Sequence, residues 1–232
     1  LDLHGRILEW RVKHHGRNHT DVAKSFNGMA ILHAKLQRYE EALDYYYQTY
    51  EIFNAQLGSD HERTLAAKTN MANVLGLLNR NEESLSTFED ILQTVTAAYG
   101  EEHSVRADAL HSMAVVLAEL GRKEEAMEHY DEAAEIYEAV FGNMHRSVAN
   151  TLNNLGVLME QLMLFSDAVR KHENALRIRI TVLGEEHPDT AASQNNLGIT
   201  LSSLKRHKEA IAHFEQALLG RESVFGKRHR LV

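Results

Sequence analysis

The 232 residues include no cysteine and a single proline. Without cysteine there is no disulfide framework, no thiolate nucleophile and no thiolate metal ligand, and the composition fits a reducing, cytoplasmic setting. One proline leaves little to interrupt helices. No stretch approaches 18 consecutive apolar residues, the length that would suggest a membrane-spanning helix, so no membrane insertion is expected. No signal-peptide pattern is visible. The first residue is Leu1 rather than Met, which reads as an excerpt of a longer chain with units continuing on both sides.

Net positive charge is lacking too. Residues 1–100 carry 10 basic and 13 acidic side chains (−3), residues 101–142 carry 3 and 11 (−8), and residues 143–232 carry 12 and 9 (+3). Binding to phosphate backbones needs a continuous basic track, and the acidic middle argues against a nucleic-acid partner.

What the chain does have is a period of 42 residues. Glycine recurs at Gly16, Gly58, Gly100, Gly142, Gly184 and Gly226, and histidine at His19, His61, His103, His145, His187 and His229. Small residues repeat in two series: Ala30, Ala72, Ala114, Gly156, Gly198; and Ala42, Ser84, Ala126, Ala168, Ala210. Large apolar residues follow the same step, as in Met29, Met71, Met113, Leu155, Leu197. This spacing divides the chain into a partial unit at 1–16, full repeats at 17–58, 59–100, 101–142, 143–184 and 185–226, and the start of a further one at 227–232, within one domain spanning 1–232.

Each repeat reads as two helices. In the fourth, Leu152, Leu155, Leu158 and Leu162 recur at i+3 and i+4 steps, so helix A spans roughly Ser147 to Leu162. Helix B carries Phe165, Ala168, Val169, Ala175, Leu176 and Ile178, and Gly184 closes it in a left-handed conformation. Pro188 suits a first helical turn. The small series let the paired helices approach closely. A lone hairpin cannot bury its apolar face, so the hairpins stack. The fold class is therefore all-α, a right-handed superhelical solenoid of helix-turn-helix hairpins.

The runs Leu183-Gly-Glu-Glu-His-Pro-Asp-Thr-Ala, Asn195-Asn196-Leu197-Gly198 and Thr151-Leu152-Asn153-Asn154-Leu155-Gly156 resemble the tetratricopeptide repeats of the kinesin light chain family, whose period is likewise 42. The resemblance implies a concave face lined by helix A that captures a segment of a partner protein. The first three repeats depart from the Asn-Asn-Leu signature, reading Asn27-Gly28, Thr69-Asn70 and His111-Ser112.

Counting by helical spacing from Asn153 gives the expected groove: Lys24, Asn27 and Lys35; Thr69 and Asn73; His111 and Val115; Asn150, Asn153 and Val157; Asn195 and Ile199. Asparagine costs about 0.5–0.7 kcal/mol against alanine within a helix, while its amide offers donors and an acceptor to an extended backbone. The competing role is to hydrogen-bond between helices, which is the expectation for Asn154 and Asn196. Asn73 matches the asparagine of the carboxylate clamp found in some tetratricopeptide domains, but Ile31 and Val115 at the neighbouring positions cannot complete it.

Other conspicuous features read as structural. The periodic histidines lie one hairpin apart, too far to share an ion, and are expected to organise or cap the loop before helix A. Glu124, Glu125, Glu128, Asp131, Glu132, Glu135 and Glu138 form a solvated convex face. Tyr45, Tyr46, Tyr47 and Tyr50 are expected in the core and groove wall, and Trp10, in register with Ile52 and Ile136, in the core. No catalytic or phosphate-binding motif stands out, so neither enzyme activity nor a cofactor is expected. The expected function is a protein-binding scaffold, a kinesin-light-chain-like cargo or adaptor module in the cytoplasm, with possible cytoskeletal association. The alternatives are a module that self-associates as a homo-oligomer, and a sensor domain of a multidomain signalling protein.

Overall fold

The computed structural model describes residues 2–225, in which there are eleven helices and no strand. The expected start of a further hairpin at 227–232, with His229, lies outside the described residues. By packing the chain divides into two compact units, Leu1–Leu120 and Gly121–Val232. The first holds α1 (Asp2–His15), α2 (Thr20–Lys35), α3 (Tyr39–Leu57), α4 (Glu62–Leu77), α5 (Asn81–Tyr99) and α6 (Ser104–Glu119). The second holds α7 (Lys123–Phe141), α8 (Arg146–Gln161), α9 (Phe165–Leu183), α10 (Pro188–Ser203) and α11 (His207–Phe225). The two helices of the fourth repeat thus fall within one residue of their expected bounds.

Each repeat starts its first helix in the same way. His19, His61, His103, His145 and His187 are N-caps whose Nδ1 accepts from the backbone N–H two residues on, at 3.1–3.3 Å. This satisfies one of the four amides that a helix start leaves unpaired. A ring accepting at Nδ1 carries its proton on Nε2. Several of these rings also stack on the end of the preceding second helix, His103 on Tyr99 at 4.5 Å and His145 on Phe141 at 4.3 Å. The capping role expected of the periodic histidines is the one observed.

The first helices end in a paired-bond cap. After α2, Gln37 N–H donates to Ala34 O and Arg38 N–H to His33 O, at 2.9 Å each. The same pair follows α4, α8 and α10. This closure needs a left-handed residue, and Gln37, Asn79, Met163 and Lys205 take it with φ of 58–61°. The glycines closing the second helices do something different from the expected left-handed cap. Gly58 and Gly142 combine positive φ (101° and 81°) with extended ψ (161° and 162°). That region is essentially open to glycine alone, and it sends the chain straight on toward the next histidine cap.

Packing follows the small series. Ala30, Ala42, Ala72, Ser84, Ala114, Ala126, Ala168 and Ala210 are all buried, as are Gly156 and Gly198. Ser84 satisfies its hydroxyl on Ala72 O at 2.7 Å. In the first unit Val22, Ala23, Phe26, Ile52, Phe53 and Ala67 form one cluster, joining a hairpin to the first helix of the next. In the second, Val169, Leu176, Leu197, Leu201 and Ala210 do the same for α9, α10 and α11. Burying each of the larger aliphatic side chains contributes about 1.5–3 kcal/mol.

Two aromatic expectations are corrected. Trp10 is 55% exposed and stacks on His14 at 4.3 Å. Ile52 is buried with Val22, Ala23 and Phe26 of the first helix of its own hairpin, and α1 has no such helix beside it among the described residues. Tyr46 is buried as expected, but Tyr47, one residue round the helix, is exposed and lines an outer cleft with Arg17 and Gln48.

Candidate functional site

In the first unit, α2, α4 and α6 carry the expected groove positions. Ile31 (40% exposed) and Leu77 (48%) stand out as large apolar side chains that packing leaves uncovered. Asn27, Asn73 and Val115 are half-buried and Lys35 is exposed. Lys24 is also exposed, but its ammonium is engaged with Asp21 at 2.8 Å. Thr69 is buried, and its hydroxyl donates to Leu65 O at 3.0 Å, so it offers nothing to a ligand. His111 is half-buried, and burial pushes its pKa down to about 4, so it is neutral at pH 7.

In the second unit, α8 packs directly on α10. Here two of the amides, Asn150 and Asn153, are committed to bonds between helices. Asn153, 9% exposed, accepts from Asn196 Nδ2 at 3.1 Å. The inter-helix role expected for Asn196 is therefore seen, and Asn153 serves as its partner. Asn150 Oδ1 accepts from Arg179 Nη2 at 2.9 Å. Asn195 and Val157 are half-buried, and Ile199 is 45% exposed.

Spacing from Asn153 also places Glu160 on this side of α8, but it does not reveal Arg179 or His172. Arg179 is buried, and besides Asn150 it donates to Asp189 O and Ser193 Oγ at 2.9 and 2.7 Å, clamping the start of α10 to the end of α9. Arg11, four periods earlier, makes the matching bonds to Asp21 O and Ser25 Oγ. That recurrence was the available signal. Glu160 lies beside Val157 on α8; it accepts from Thr200 Oγ1, and its Oε1 is 3.6 Å from Nε2 of His172. His172 is wholly buried, and neither ring nitrogen has a hydrogen-bond partner.

Among the described residues no group of three or more His, Cys, Asp and Glu is placed to hold a metal ion, and no helix is long and apolar enough to cross a membrane. The acidic side chains of α7 are mostly exposed, with Asp131 paired to Lys171 at 2.7 Å. The first-helix side chains left uncovered within each unit can hydrogen-bond and pack against another chain.

The family model for the tetratricopeptide repeat matches residues 1–55, 21–92, 63–139 and 147–223. The chain belongs to the tetratricopeptide repeat family. Its all-α fold of stacked hairpins is the one expected from the 42-residue period, and proteins of this fold generally bind other proteins. Solved structures share the fold at low identity. BtubC (BKLC) from P. vanneervenii is 22% identical with a TM-score of 0.80, over 97% of this chain and 89% of that one. A putative kinesin light chain from Podosopora anserina with nearly identical TPR-like repeats is 21% identical with a TM-score of 0.71, over 91% and 99%. A Rap protein complexed with Competence and Sporulation Factor is 14% identical with a TM-score of 0.70, over 86% and 54%. The comparison with curated proteins finds no match.

Proposed function

We propose that this tetratricopeptide protein holds a segment of a partner protein against the surface that the first helices form within a unit, as a kinesin-light-chain-like cargo or adaptor module working in the cytoplasm. The observation that carries the reading is the exposure of Ile31 and Leu77 on the first helices of the first unit, and of Ile199 on those of the second, where packing within the protein would normally cover such side chains. Half-buried Asn27, Asn73 and Asn195 lie beside them to bond the partner's backbone. Asn153, Asn150 and Thr69 are engaged within the protein, with Asn196, Arg179 and Leu65. The Rap protein, which shares this fold over 54% of its length, was solved in complex with a factor.

The test is affinity capture from lysate with mass spectrometry, comparing wild type with Ile31→Arg/Leu77→Arg and with Asn195→Ala/Ile199→Arg, after matched helicity and melting. Partners lost from one variant pair assign the face. Identical partners on all three proteins would refute the reading. A second reading, self-association, draws on α11, which exposes Ile211, Leu218 and Leu219; a light-scattering mass that rises with concentration would favour it.

A further inference from the structure

The first helices of the second unit carry three ionic side chains: Arg146 and Glu160 on α8, and Asp189 on α10. Arg146 and Asp189 answer one another at 3.4 Å, so Glu160 is the charge left over. The position it fills is small in the other full repeats, with Ala34, Gly76, Ala118 and Ser202, so stacking of hairpins does not require a carboxylate there. Its Oε1 accepts from Thr200 Oγ1 and stands 3.6 Å from His172 Nε2, beyond hydrogen-bond distance. Its Oε2 has no partner among the described residues and is not enclosed. The side chain is 19% exposed, so the carboxylate is partly stripped of water yet still reachable.

An uncompensated carboxylate in such a setting attracts a cation more strongly than one in open water. Its neighbours are apolar. Val157, on the same side of α8, is half-buried, and Ile199, which precedes Thr200 in the chain, is 45% exposed on α10. One free oxygen suits the single ammonium of lysine, whereas the fork of arginine is best used on two oxygens, and Oε1 is already taken. The methylenes of a lysine can lie along apolar side chains while its head reaches the oxygen. We propose, resting on the reading above that first helices hold a partner segment, that Glu160 selects among such segments: the second unit takes one that carries a lysine beside an aliphatic residue, the lysine on Glu160 Oε2 and the aliphatic residue on Ile199.

The test selects phage-displayed random peptides of about 12 residues, or about 40 Å when extended, on the full chain. The recovered peptides are then measured by fluorescence anisotropy against wild type, Glu160→Gln, Ile199→Arg and Ile31→Arg/Leu77→Arg, after matched helicity and melting. Glutamine keeps an oxygen for Thr200 and removes only the charge. The chain's net charge of −8 favours any basic peptide, so Glu124→Gln, at an exposed carboxylate of α7, measures that background. Peptides lost on Ile199→Arg are expected to share a lysine beside an aliphatic residue and to weaken about three- to tenfold on Glu160→Gln, with little change on Glu124→Gln. Replacing that lysine by glutamine should cost the same factor on wild type and nothing more on Glu160→Gln, and replacing it by arginine should cost part of it. Peptides that need Ile199, or Ile31 and Leu77, but ignore Glu160→Gln or respond equally to Glu124→Gln overturn the lysine contact and leave the first-helix reading standing. Peptides indifferent to every first-helix variant, or no peptide recovered, overturn both.

Discussion

The contact between Gly156 and His172 gives the sharpest test of how the hairpins are packed. A Cβ added at Gly156 would lie 2.7 Å from Cε1 of His172 and 2.8 Å from each ring nitrogen. The ring is wholly buried, with Glu160 close on one side, so it cannot swing into solvent to make room. Gly156→Ala gains about 1 kcal/mol of helix propensity and incurs about 2–3 kcal/mol of overpacking, a net destabilisation of about 1–2 kcal/mol. Gly5, in α1, has nothing within 4 Å of its added Cβ. Gly5→Ala should therefore stabilise by about 0.5–1 kcal/mol. His172→Ala alone leaves a cavity and should cost about 2–4 kcal/mol. In Gly156→Ala/His172→Ala the new methyl points into that cavity, so the double variant should be more stable than the sum of the singles by about 1–2 kcal/mol. Urea denaturation should be read together with amide exchange in α8 and α9, because stacked hairpins need not unfold in one step. Gly156→Ala stabilising as Gly5→Ala does, or a coupling indistinguishable from zero, would refute the packing argument.

Other predictions follow from the caps and from one buried imidazole. His145→Ala removes a side-chain acceptor from the start of α8 and should cost about 1 kcal/mol, whereas His145→Asn should recover part of that loss, both measured by urea midpoint. Met163 is 75% exposed and holds φ at 61°, so Met163→Gly should raise Tm, corresponding to about 1 kcal/mol of relieved strain. His111 binds its proton less readily in the folded chain, at about 4, than in the unfolded chain, at about 6.5. Between those values the unfolded state carries more protons, so stability falls as pH drops from about 6.5 to 4 and is independent of this group above that window. His111→Gln should flatten up to about 3 kcal/mol of that acid limb, checked by urea titrations at stepped pH.

How much of this was legible in the sequence depended on whether a residue's role repeats. Helix bounds, the small-residue contacts and the histidine caps recur every 42 residues, so each position was read several times over. Trp10 and Tyr47 were misplaced because register alone does not say which neighbours are present. Trp10 shares the register of Ile52 but lacks the helix that covers Ile52. Tyr47 sits one step round the helix from a buried position, and a rotation of about 100° takes it to the outside. The amides show a different limit. Asn153 and Asn195 occupy the same repeat position, yet Asn153 is bonded by Asn196 while Asn195 is left half-buried. Spacing gives a side chain's direction and not the competition for its hydrogen bonds. His172 was invisible for a related reason, since it replaces the aromatic residue used at that position in the other full repeats, whereas Arg179 recurs as Arg11 and Arg221 and could have been read from the period.

Within each unit, the packing joins helices that are adjacent or next but one in order. The contacts that reward folding are therefore close along the chain, and little loop-closure entropy stands in the way of any of them. Such a chain is expected to fold rapidly, to begin at whichever hairpin closes first, and to grow outward from it. Caps that are local to each junction make any hairpin a possible starting point. Opening should then proceed one hairpin at a time, with amide protection differing from hairpin to hairpin within each unit.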